Sequence, residues 1–353
     1  MYYLDRNSLF WLQVAAYSTI KPAIVKDLLS KFTIAEIYDI LQSNPASIGI
    51  KKGQSNQKLV DDACTWLAKS TNHHLLTFDN KHYPCLLKHI YDPPLVLFAV
   101  GDIAALVNNG LSIVGSRRCS QYGLKVAHNL GSTLAVSGLN VISGMALGID
   151  SAAHKGALTS FVGKTVAVLG SGLNNIYPQS NKKLFADIAA KGCVLSELFP
   201  DTPPFPYNFP KRNRIISGLS LAVVVVEAAA RSGTLVTARL ALEQGREVFA
   251  IPGSIFSPNS AGCHHLLRQG AVLAHSVDDI FMELDLLRTK ATDKYECSNE
   301  EQILLDHIKG DSVSIDVLQA LTKMSLDQLT KNLFSLELAG LIVADGGCYM
   351  RCK

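Results

Sequence analysis

The sequence predicts an α/β protein whose central part, from about Leu111 to Leu286, is a doubly wound, mostly parallel, Rossmann-like sheet. Two observations predict this fold. Short apolar segments alternate with longer helical segments, which is the pattern of parallel strands joined by crossover helices. Turns rich in glycine, hydroxyl and arginine side chains follow the apolar segments, at the edge where such sheets bind ligands. We predict a small helical domain before the sheet and a winged-helix domain after it.

The composition indicates a folded protein. Its 353 residues are 48% hydrophobic, which is enough for a large core. The sequence has no long uncharged apolar window, and its first residues do not resemble a secretory signal. We therefore expect a cytoplasmic protein that contacts no membrane.

Charge and cysteine content narrow the classes of partner. The net charge of +3 is too small to predict a polyanionic partner by itself, so local clusters of cations must be examined. The eight cysteines are scattered and include no Cys-x-x-Cys pair. We expect reduced thiols, with neither disulfides nor a zinc site or other metal site.

Residues 1–75 are predicted to form a helical domain of the SAM or helix-hairpin-helix kind. Apolar residues recur at helical spacing in successive segments, and Ile34, Ile37 and Leu41 share one such face. The run from Ser47 to Gly53 resembles the glycine turn of a helix-hairpin-helix, in which backbone amides meet a DNA phosphate. A plain connection between two helices explains the same run equally well.

The central domain is predicted to span residues 76–287. It begins with a proline-containing apolar segment from Tyr83 to Gly101, which indicates an extended lead-in or an edge strand. Strands are then predicted at 111–114, 140–142, 165–169, 194–195, 221–226 and 248–251. Helices are predicted to begin at Tyr122, Ile149, Ser180 and Thr234.

The C-terminal part is predicted to be a winged helix. Residues 288–299 are polar and form a linker, and residues 300–353 contain three helical segments followed by a strand, an Asp345-Gly346-Gly347 turn and a returning strand. The third helical segment carries Asp327, Glu337 and only one lysine, Lys331. Such a helix would be a poorly charged DNA-recognition helix, so contact with a protein explains this domain at least as well.

The turns after the first two central strands indicate phosphate binding. The first strand leads into Gly115-Ser116-Arg117-Arg118, and the second into Ser143-Gly144 and a helix. Glycine allows close backbone approach, and the guanidiniums can hold phosphate with paired donors. The Gly-x-Gly-x-x-Gly fingerprint of dinucleotide binders is missing, so we expect no cofactor.

A basic loop further along the chain suits single-stranded nucleic acid. Prolines and aromatic residues from Pro203 to Pro210 lead directly into Lys211-Arg212-Asn213-Arg214. Cations can follow phosphates while aromatic rings stack on unpaired bases. The alternative is that the aromatic residues pack a long connection and the arginines are solvated. The later turn Arg231-Ser232-Gly233-Thr234 also begins a helix in a way that suits an anion.

Residues suited to catalysis are few at these turns. Asp150 and Glu227 end two of them, and His154 lies in helical sequence. A helix cap or loop brace explains Asp150 as well as an acid would, and His154 fits a partner within its own helix. His264 and His265 have no third ligand at metal spacing. Donors and cations dominate, so we expect a binding protein with no catalytic residues.

Taken together and in order, these motifs resemble those of the DNA-processing protein A (DprA, also called Smf) family. The resemblance covers essentially the whole chain. It rests on the series Gly115-Ser116-Arg117-Arg118, Ser143-Gly144-Met145-Ala146-Leu147-Gly148-Ile149-Asp150, Tyr177-Pro178-x-x-Asn181-x-x-Leu184, Phe209-Pro210-x-Arg212-Asn213-Arg214-Ile215-Ile216 and Ser232-Gly233-Thr234.

The resemblance implies a homodimer that binds single-stranded DNA, protects incoming strands during natural transformation and loads the RecA recombinase onto them. It also implies which positions hold DNA. These are Arg117, Lys211, Arg212 and Arg214, with Gly115, Ser116, Ser143, Gly144 and Asn213 as neighbours and Lys183 as a further candidate. The dimer and RecA surfaces stay unassigned.

Two other functions stay open at this point. One is a nucleotide-processing enzyme similar to the phosphoribohydrolases, which share this kind of fold. The turn at Ser232-Gly233-Thr234 resembles theirs but lacks the preceding Pro-Gly-Gly and the following glutamate. The other is a regulator that binds duplex DNA through the winged helix and a nucleotide through the sheet domain; the acidic third helix argues against it.

Overall fold

The computed structural model describes residues 4–17, 20–48, 55–286, 298–308, 313–338, 341–345 and 348–351. The chain forms two compact units, Met1–Ala291 and Thr292–Lys353. Most of the run from Ser47 to Gly53, most of the predicted linker and the turn glycines Gly346 and Gly347 lie outside the described residues.

Within the described part of the first unit, nine strands form one sheet. They are β1 (His73–Thr77), β2 (Val96–Gly101), β3 (Gly110–Val114), β4 (Asn140–Ser143), β5 (Thr165–Val168), β6 (Cys193–Ser196), β7 (Ala222–Val225), β8 (Glu247–Ala250) and β9 (Val272–Leu273).

The α-helices of this unit lie before the sheet and between its strands. They are α1 (Arg6–Ala15), α2 (Pro22–Leu28), α3 (Ile34–Ser43), α4 (Gln57–Ala68), α5 (Cys85–Lys88), α6 (Gln121–Val136), α7 (Ile149–Ala157), α8 (Lys182–Lys191), α9 (Asn208–Gly218), α10 (Gly233–Glu243), α11 (Ala261–Arg268) and α12 (Val277–Glu283). Short 3-10 helices occur at Pro45–Ile48, Ile103–Leu106, Gln179–Asn181 and Pro258–Ser260.

The strand order is β1-β2-β6-β5-β4-β3-β7-β8-β9. Pairing is parallel from β6 to β9, and antiparallel between β1 and β2 and between β2 and β6. The chain runs outward from β3 to β6 and then returns to the other side of β3 as β7. The predicted doubly wound, mostly parallel sheet is confirmed, and its topological switch point lies between β3 and β7.

Helices cover both faces of the sheet. On one face, apolar residues of α9, α10 and α11 pack against alternate residues of the central strands, such as Val114 and Val223. On the other face, α6, α7 and α12 pack against the intervening residues, such as Ile113 and Val224. This alternation is why both sides of each central strand are apolar, as the sequence pattern predicts.

The N-terminal helices share a core with the sheet. Trp11, Trp66 and other buried residues of α1 to α4 belong to the same apolar cluster as Phe98 of β2 and Val194 of β6. The boundary predicted between residues 75 and 76 falls inside β1. The helical region therefore packs as one layer of this unit, because its apolar faces are buried against the antiparallel end of the sheet.

The second unit has the predicted winged-helix elements. These are α13 (Asn299–His307), β10 (Val313–Ser314), α14 (Ile315–Thr322), α15 (Leu326–Leu338), β11 (Ile342–Asp345) and β12 (Cys348–Arg351). The three strands pair antiparallel in the order β10-β12-β11. Residues of all three helices and of β11 form a separate core, which includes Leu304, Leu318 and Leu333.

Candidate nucleic-acid interface

A cavity of about 770 Å³ opens at the carboxyl ends of β3 and β7, at the switch point of the sheet. This is the position where open α/β sheets bind ligands. The cavity is lined by residues from the turns after β3, β4, β5 and β7, from α9 with the loop before it, from α10, and from the segment after β8. They include Gly115, Ser116, Arg117, Arg118, Tyr177, Phe209, Arg212, Asn213, Arg231, Ser232, Gly233, Thr234 and Asn259.

The turn after β3 presents two arginines. A Cβ on Gly115 would lie 2.6 Å from Cγ1 of Ile149, so only glycine lets α7 come this close. The amide of Ser116 donates to the carbonyl oxygen of Glu227 at 2.7 Å, and its hydroxyl accepts from the amide of Arg118 at 3.1 Å. These bonds fix the backbone, and the side chains of Arg117 and Arg118 remain exposed.

Aromatic rings stand beside these arginines. The guanidinium of Arg117 lies 5.6 Å from the ring centroid of Phe209, within cation–π distance, and that ring is 5.4 Å from the ring of Tyr177. In the loop before α9, Phe205 and Tyr207 stack in parallel at 5.5 Å and are both exposed. Cations and accessible rings therefore occur together at one sheet edge.

Arg212 lines the wall of the cavity, and its side chain does not extend into solvent. Its guanidinium is buried, and Nη1 donates to the carbonyl oxygens of Gly144, at 2.7 Å, and of Val168. A Cβ on Gly144 would lie 2.5 Å from Nη1, so glycine is required there for the arginine to fit. Burial lowers the pKa of Arg212 to about 10, which leaves it charged at neutral pH.

Arg214 is committed to ion pairs within the protein. Nη2 donates to Oε2 of Glu197 at 2.5 Å, and Nε lies 3.5 Å from Oδ2 of Asp92. Asp92 in turn accepts from the amide of Ala23 at 3.0 Å, so the network extends to α2. The motif resemblance implies that Arg214 holds DNA, but the structure buries its side chain beside Glu197 and Asp92, where the guanidinium is not open to a phosphate.

The remaining candidates also divide into exposed and buried side chains. Lys211 is exposed, with Nζ 3.7 Å from Oε1 of Glu197, but it does not line the cavity, whereas Asn213 does. Ser143 is buried, and its hydroxyl donates to the carbonyl oxygen of Ile113 at 2.6 Å, so it is held beneath the turn and is not among the cavity-lining residues. Lys183 is exposed on α8 and does not line the cavity either.

The acidic groups at the cavity have structural partners. The buried carboxylate of Glu227 accepts from the amide of Ser120 at 2.9 Å and from its hydroxyl at 2.5 Å, at the start of α6. Oδ2 of Asp150 accepts from the amides of Gly144 and Ala146 at 3.1 and 3.4 Å. Burial raises the pKa of Asp150, while Arg212 and these hydrogen bonds oppose that change. Both carboxylates brace turns.

His154 lies on α7, and its side chain is fully buried, so neither ring nitrogen is open to solvent. Its Nδ1 lies 2.6 Å from Oγ1 of Thr165, whose hydroxyl donates to the carbonyl oxygen of Val141. Nδ1 must therefore carry the proton, and the buried Nε2 has no hydrogen-bond partner within the described residues. Burial, with a smaller contribution from Arg212, lowers the pKa of His154 to about 3.

Three further residues belong to the cavity although the predicted DNA-holding positions do not include them. Arg118 and Arg231 are exposed and line the cavity, and Asn259 donates from Nδ2 to the carbonyl oxygen of Arg118 at 3.1 Å. Arg118 and Arg231 follow parallel strands, and the sequence marks both turns as suited to an anion. Asn259 could not be found this way, because the chain brings it to the cavity from the segment after β8.

Comparison with known proteins settles the family. A family model described as DNA recombination-mediator protein A matches residues 74–285, which is more than half of the chain. The chain belongs to this family. A second model, described as the DprA winged helix domain, matches residues 288–347. The resemblance found in the motifs is thereby confirmed, as is the winged-helix prediction.

Relatives and solved structures agree with this assignment. The chain is 41% identical to Protein Smf of Escherichia coli over 84% of this chain and 82% of the relative. It is 46% identical to DNA processing protein DprA of Streptococcus pneumoniae over 58% of this chain and 71% of the relative. The X-ray structure of the Streptococcus pneumoniae protein superposes with a TM-score of 0.65 at 35% identity, over 80% of this chain and 99% of that one.

A second solved structure comes from Helicobacter pylori. It is described by its single-stranded DNA binding mode and superposes with a TM-score of 0.55 at 31% identity, over 60% of this chain and 95% of that one. None of the helices in the described ranges has the length and apolar character that crossing a membrane requires.

Proposed function

We propose that this protein binds single-stranded DNA in the cavity at the switch point of its sheet. One observation carries the proposal: exposed Arg117, Arg118 and Arg231 line the same cavity as Phe209 and Tyr177, with the stacked rings of Phe205 and Tyr207 in the loop beside them. Membership of a recombination-mediator family and the single-stranded DNA binding of the Helicobacter pylori relative support it.

The proposed mechanism is electrostatic and non-catalytic. Arg117, Arg118, Arg231 and Lys211 hold successive phosphates, and the rings stack on unpaired bases, at about 1–3 kcal/mol per base. Stacking needs bases that are not paired, so single strands are preferred to duplex. Gly115, Ser116, Gly144 and Asn213 shape the turns around the strand, and Arg212 adds fixed positive charge to the wall.

We further propose that the protein acts in the cytoplasm as a homodimer, protects incoming single strands during natural transformation and loads RecA onto them. Membership of a family described as DNA recombination-mediator protein A supports this role. Reversible contacts to phosphates and bases suit such loading. A RecA strand-exchange assay on DNA coated with single-strand-binding protein tests it, and stimulation by this protein is expected.

The binding proposal is tested by the salt dependence of single-strand affinity. We expect Arg117→Ala and Lys211→Ala each to weaken binding of an oligothymidylate and to reduce the slope of log affinity against log salt by about 0.7 per lost phosphate contact. Fluorescence anisotropy with a labelled oligonucleotide, repeated at several salt concentrations, measures both quantities.

The matched control is Lys69→Ala, which removes an exposed lysine that follows α4, and we expect it to leave the slope unchanged. Equal slopes for the wild type and for Arg117→Ala would overturn the site. Arg214→Ala is unsuitable as a test of binding because it leaves Asp92 without its cation and leaves the largely buried side chain of Glu197 with only the more distant Lys211. Release of base or sugar from nucleotides by the purified protein would overturn the non-catalytic proposal.

A further inference from the structure

We propose that Tyr122 and the loop between β8 and α11 form a second base-stacking platform for the same DNA strand. This loop comprises residues 252–260, here called the β8–α11 loop. The inference rests on the proposed single-stranded DNA function and extends it across the sheet edge. The platform lies on the opposite side of the cavity from Phe205, Tyr207 and Phe209.

The platform is apolar and open to solvent. Phe256 is 90% exposed, Ile255 is 80% exposed and Tyr122 is 52% exposed. Exposed apolar residues are common on protein surfaces, but Ile255 and Phe256 lie in a loop that is bonded to an accessible ring, Tyr122, and that reaches the cavity through Asn259. No residue of the β8–α11 loop is charged, so nothing in it repels a phosphate backbone.

Hydrogen bonds hold this loop in place, so its exposure is built into the fold. The hydroxyl of Tyr122 donates to the carbonyl oxygen of Pro252 at 3.1 Å, and Nε2 of His264 donates to that of Gly253 at 3.0 Å. Within the loop, the amide of Phe256 donates to the hydroxyl of Ser254 at 3.2 Å. A surface ordered in advance loses less entropy when a ligand binds.

The loop also joins the cavity directly. Asn259, three residues after Phe256, lines the cavity and donates to the carbonyl oxygen of Arg118, while its own carbonyl oxygen accepts from the amide of Ala228 at 2.7 Å. Phe256 is thus tied to the turn that carries the exposed arginines. A nucleotide could place its phosphate at Arg118 and its base on Phe256.

The strand order gives the length of DNA involved. Phe209 packs over Gly170, just after β5, and the β8–α11 loop follows β8. Four strand spacings separate β5 from β8 in the sheet, or about 19 Å at about 4.8 Å each. At about 3.4 Å per nucleotide, as in one strand of B-form DNA, this distance corresponds to on the order of five nucleotides. The arginines after β3 lie between the two aromatic groups.

The decisive experiment compares Phe256→Ala with Arg117→Ala in full-length protein, using an oligothymidylate of about 20 nucleotides. We expect Phe256→Ala to weaken binding by about fivefold or more while leaving the salt slope unchanged, because it removes stacking and no charge. The control is Phe161→Ala. Phe161 is 91% exposed but precedes β5, at the opposite edge of the sheet, and this change should leave affinity as in the wild type.

Phe256→Trp supplies a direct readout, because the natural Trp11 and Trp66 are both buried. We expect the oligothymidylate to quench the new fluorescence.

If Phe256→Ala and Phe161→Ala both bind like the wild type while Arg117→Ala binds weakly, the platform is wrong and the proposed function stands. Failure of the wild type to bind would instead overturn the proposed function. If Phe256→Trp fluorescence changes with protein concentration alone, a second copy covers the loop and the platform is also wrong.

Discussion

At the scale of single residues, the same side-chain type has different roles at neighbouring positions. Arg117 has an aromatic ring beside it and open solvent around it, whereas Arg214 lies among two carboxylates and is buried. What separates them is the partner that the fold supplies. Glu197 and Asp92 are 17 and more than 100 residues from Arg214 along the chain, so no local pattern predicts this burial.

His154 should make stability depend on pH. Its pKa falls from an ordinary 6.5 to about 3 on folding, so the unfolded chain takes up a proton first as the pH drops. The stabilisation is present above pH 6.5 and is lost as the pH falls towards 3. Between pH 7 and pH 5 this residue should remove about 2 kcal/mol from the free energy of unfolding.

Urea unfolding of the wild type and of His154→Asn at the two pH values checks this prediction. Asparagine can still donate to Oγ1 of Thr165 but does not titrate, so the variant should lose about 2 kcal/mol less over the same interval. The opposing effect of Asp150, whose raised pKa costs stability as the pH rises above 3.8, is present in both proteins. Parallel pH profiles would show that His154 does not cause the dependence.

At the scale of elements, the binding edge depends on how each helix begins. Helix α6 begins over the carboxylate of Glu227, and a Cβ on Gly123 in its first turn would lie 2.6 Å from Cδ of that carboxylate. Helix α10 begins with Gly233, and a Cβ there would meet no atom of the described residues within 4 Å. Both glycines occupy helical positions where alanine is intrinsically favoured.

Gly123→Ala and Gly233→Ala should therefore change stability in opposite directions. The first should lower the free energy of unfolding by about 1–3 kcal/mol, since the methyl group must displace a buried, hydrogen-bonded carboxylate. The second should leave it unchanged or raise it by up to about 1 kcal/mol. Urea denaturation of the two variants measures both. Equal stabilisation by the two alanines would mean that Glu227 moves aside without cost.

The sequence predicted the positions of the strands better than it predicted which side chains are buried. The strands from β3 to β8 follow from apolar runs between glycine turns, and each lies within a few residues of its predicted position. Strand β9 was missed because Val272–Leu273 is too short for a periodic signal. The cavity followed from the rule that turns after parallel strands meet at one edge, but which of its arginines stay exposed depends on packing between distant segments.

At the scale of the whole molecule, the winged-helix unit and the N-terminal helices differ in whether they have a hydrophobic core of their own. The winged-helix unit has its own core, whereas the N-terminal helices complete the core of the sheet. A unit with a separate core can fold alone, and a shared core cannot be divided without exposing apolar surface. The third helix of the winged helix, α15, carries Asp327, Glu337 and Lys331, which gives it little attraction for DNA.

Two truncations test this difference. A chain ending at residue 291 should stay folded and keep the single-strand affinity and salt slope of the full protein. A chain beginning at residue 72 should aggregate or unfold, because Phe98 and Val194 lose the helices that bury them. Circular dichroism, thermal melts and anisotropy measure these outcomes. Loss of single-strand binding on removing the winged helix would assign it a part in DNA contact.

The network around Arg214 has a consequence for exchanging parts between relatives. Because the carboxylate of Asp92 accepts from the amide of Ala23 at Oδ1 and pairs with Arg214 at Oδ2, the start of α2 and the basic helix α9 are matched to each other. A chimera that takes its first 75 residues from one homologue and the sheet from another would combine an α2 and an α9 that come from different proteins. Crossovers near residue 291 preserve the match, so domain shuffling should succeed there first.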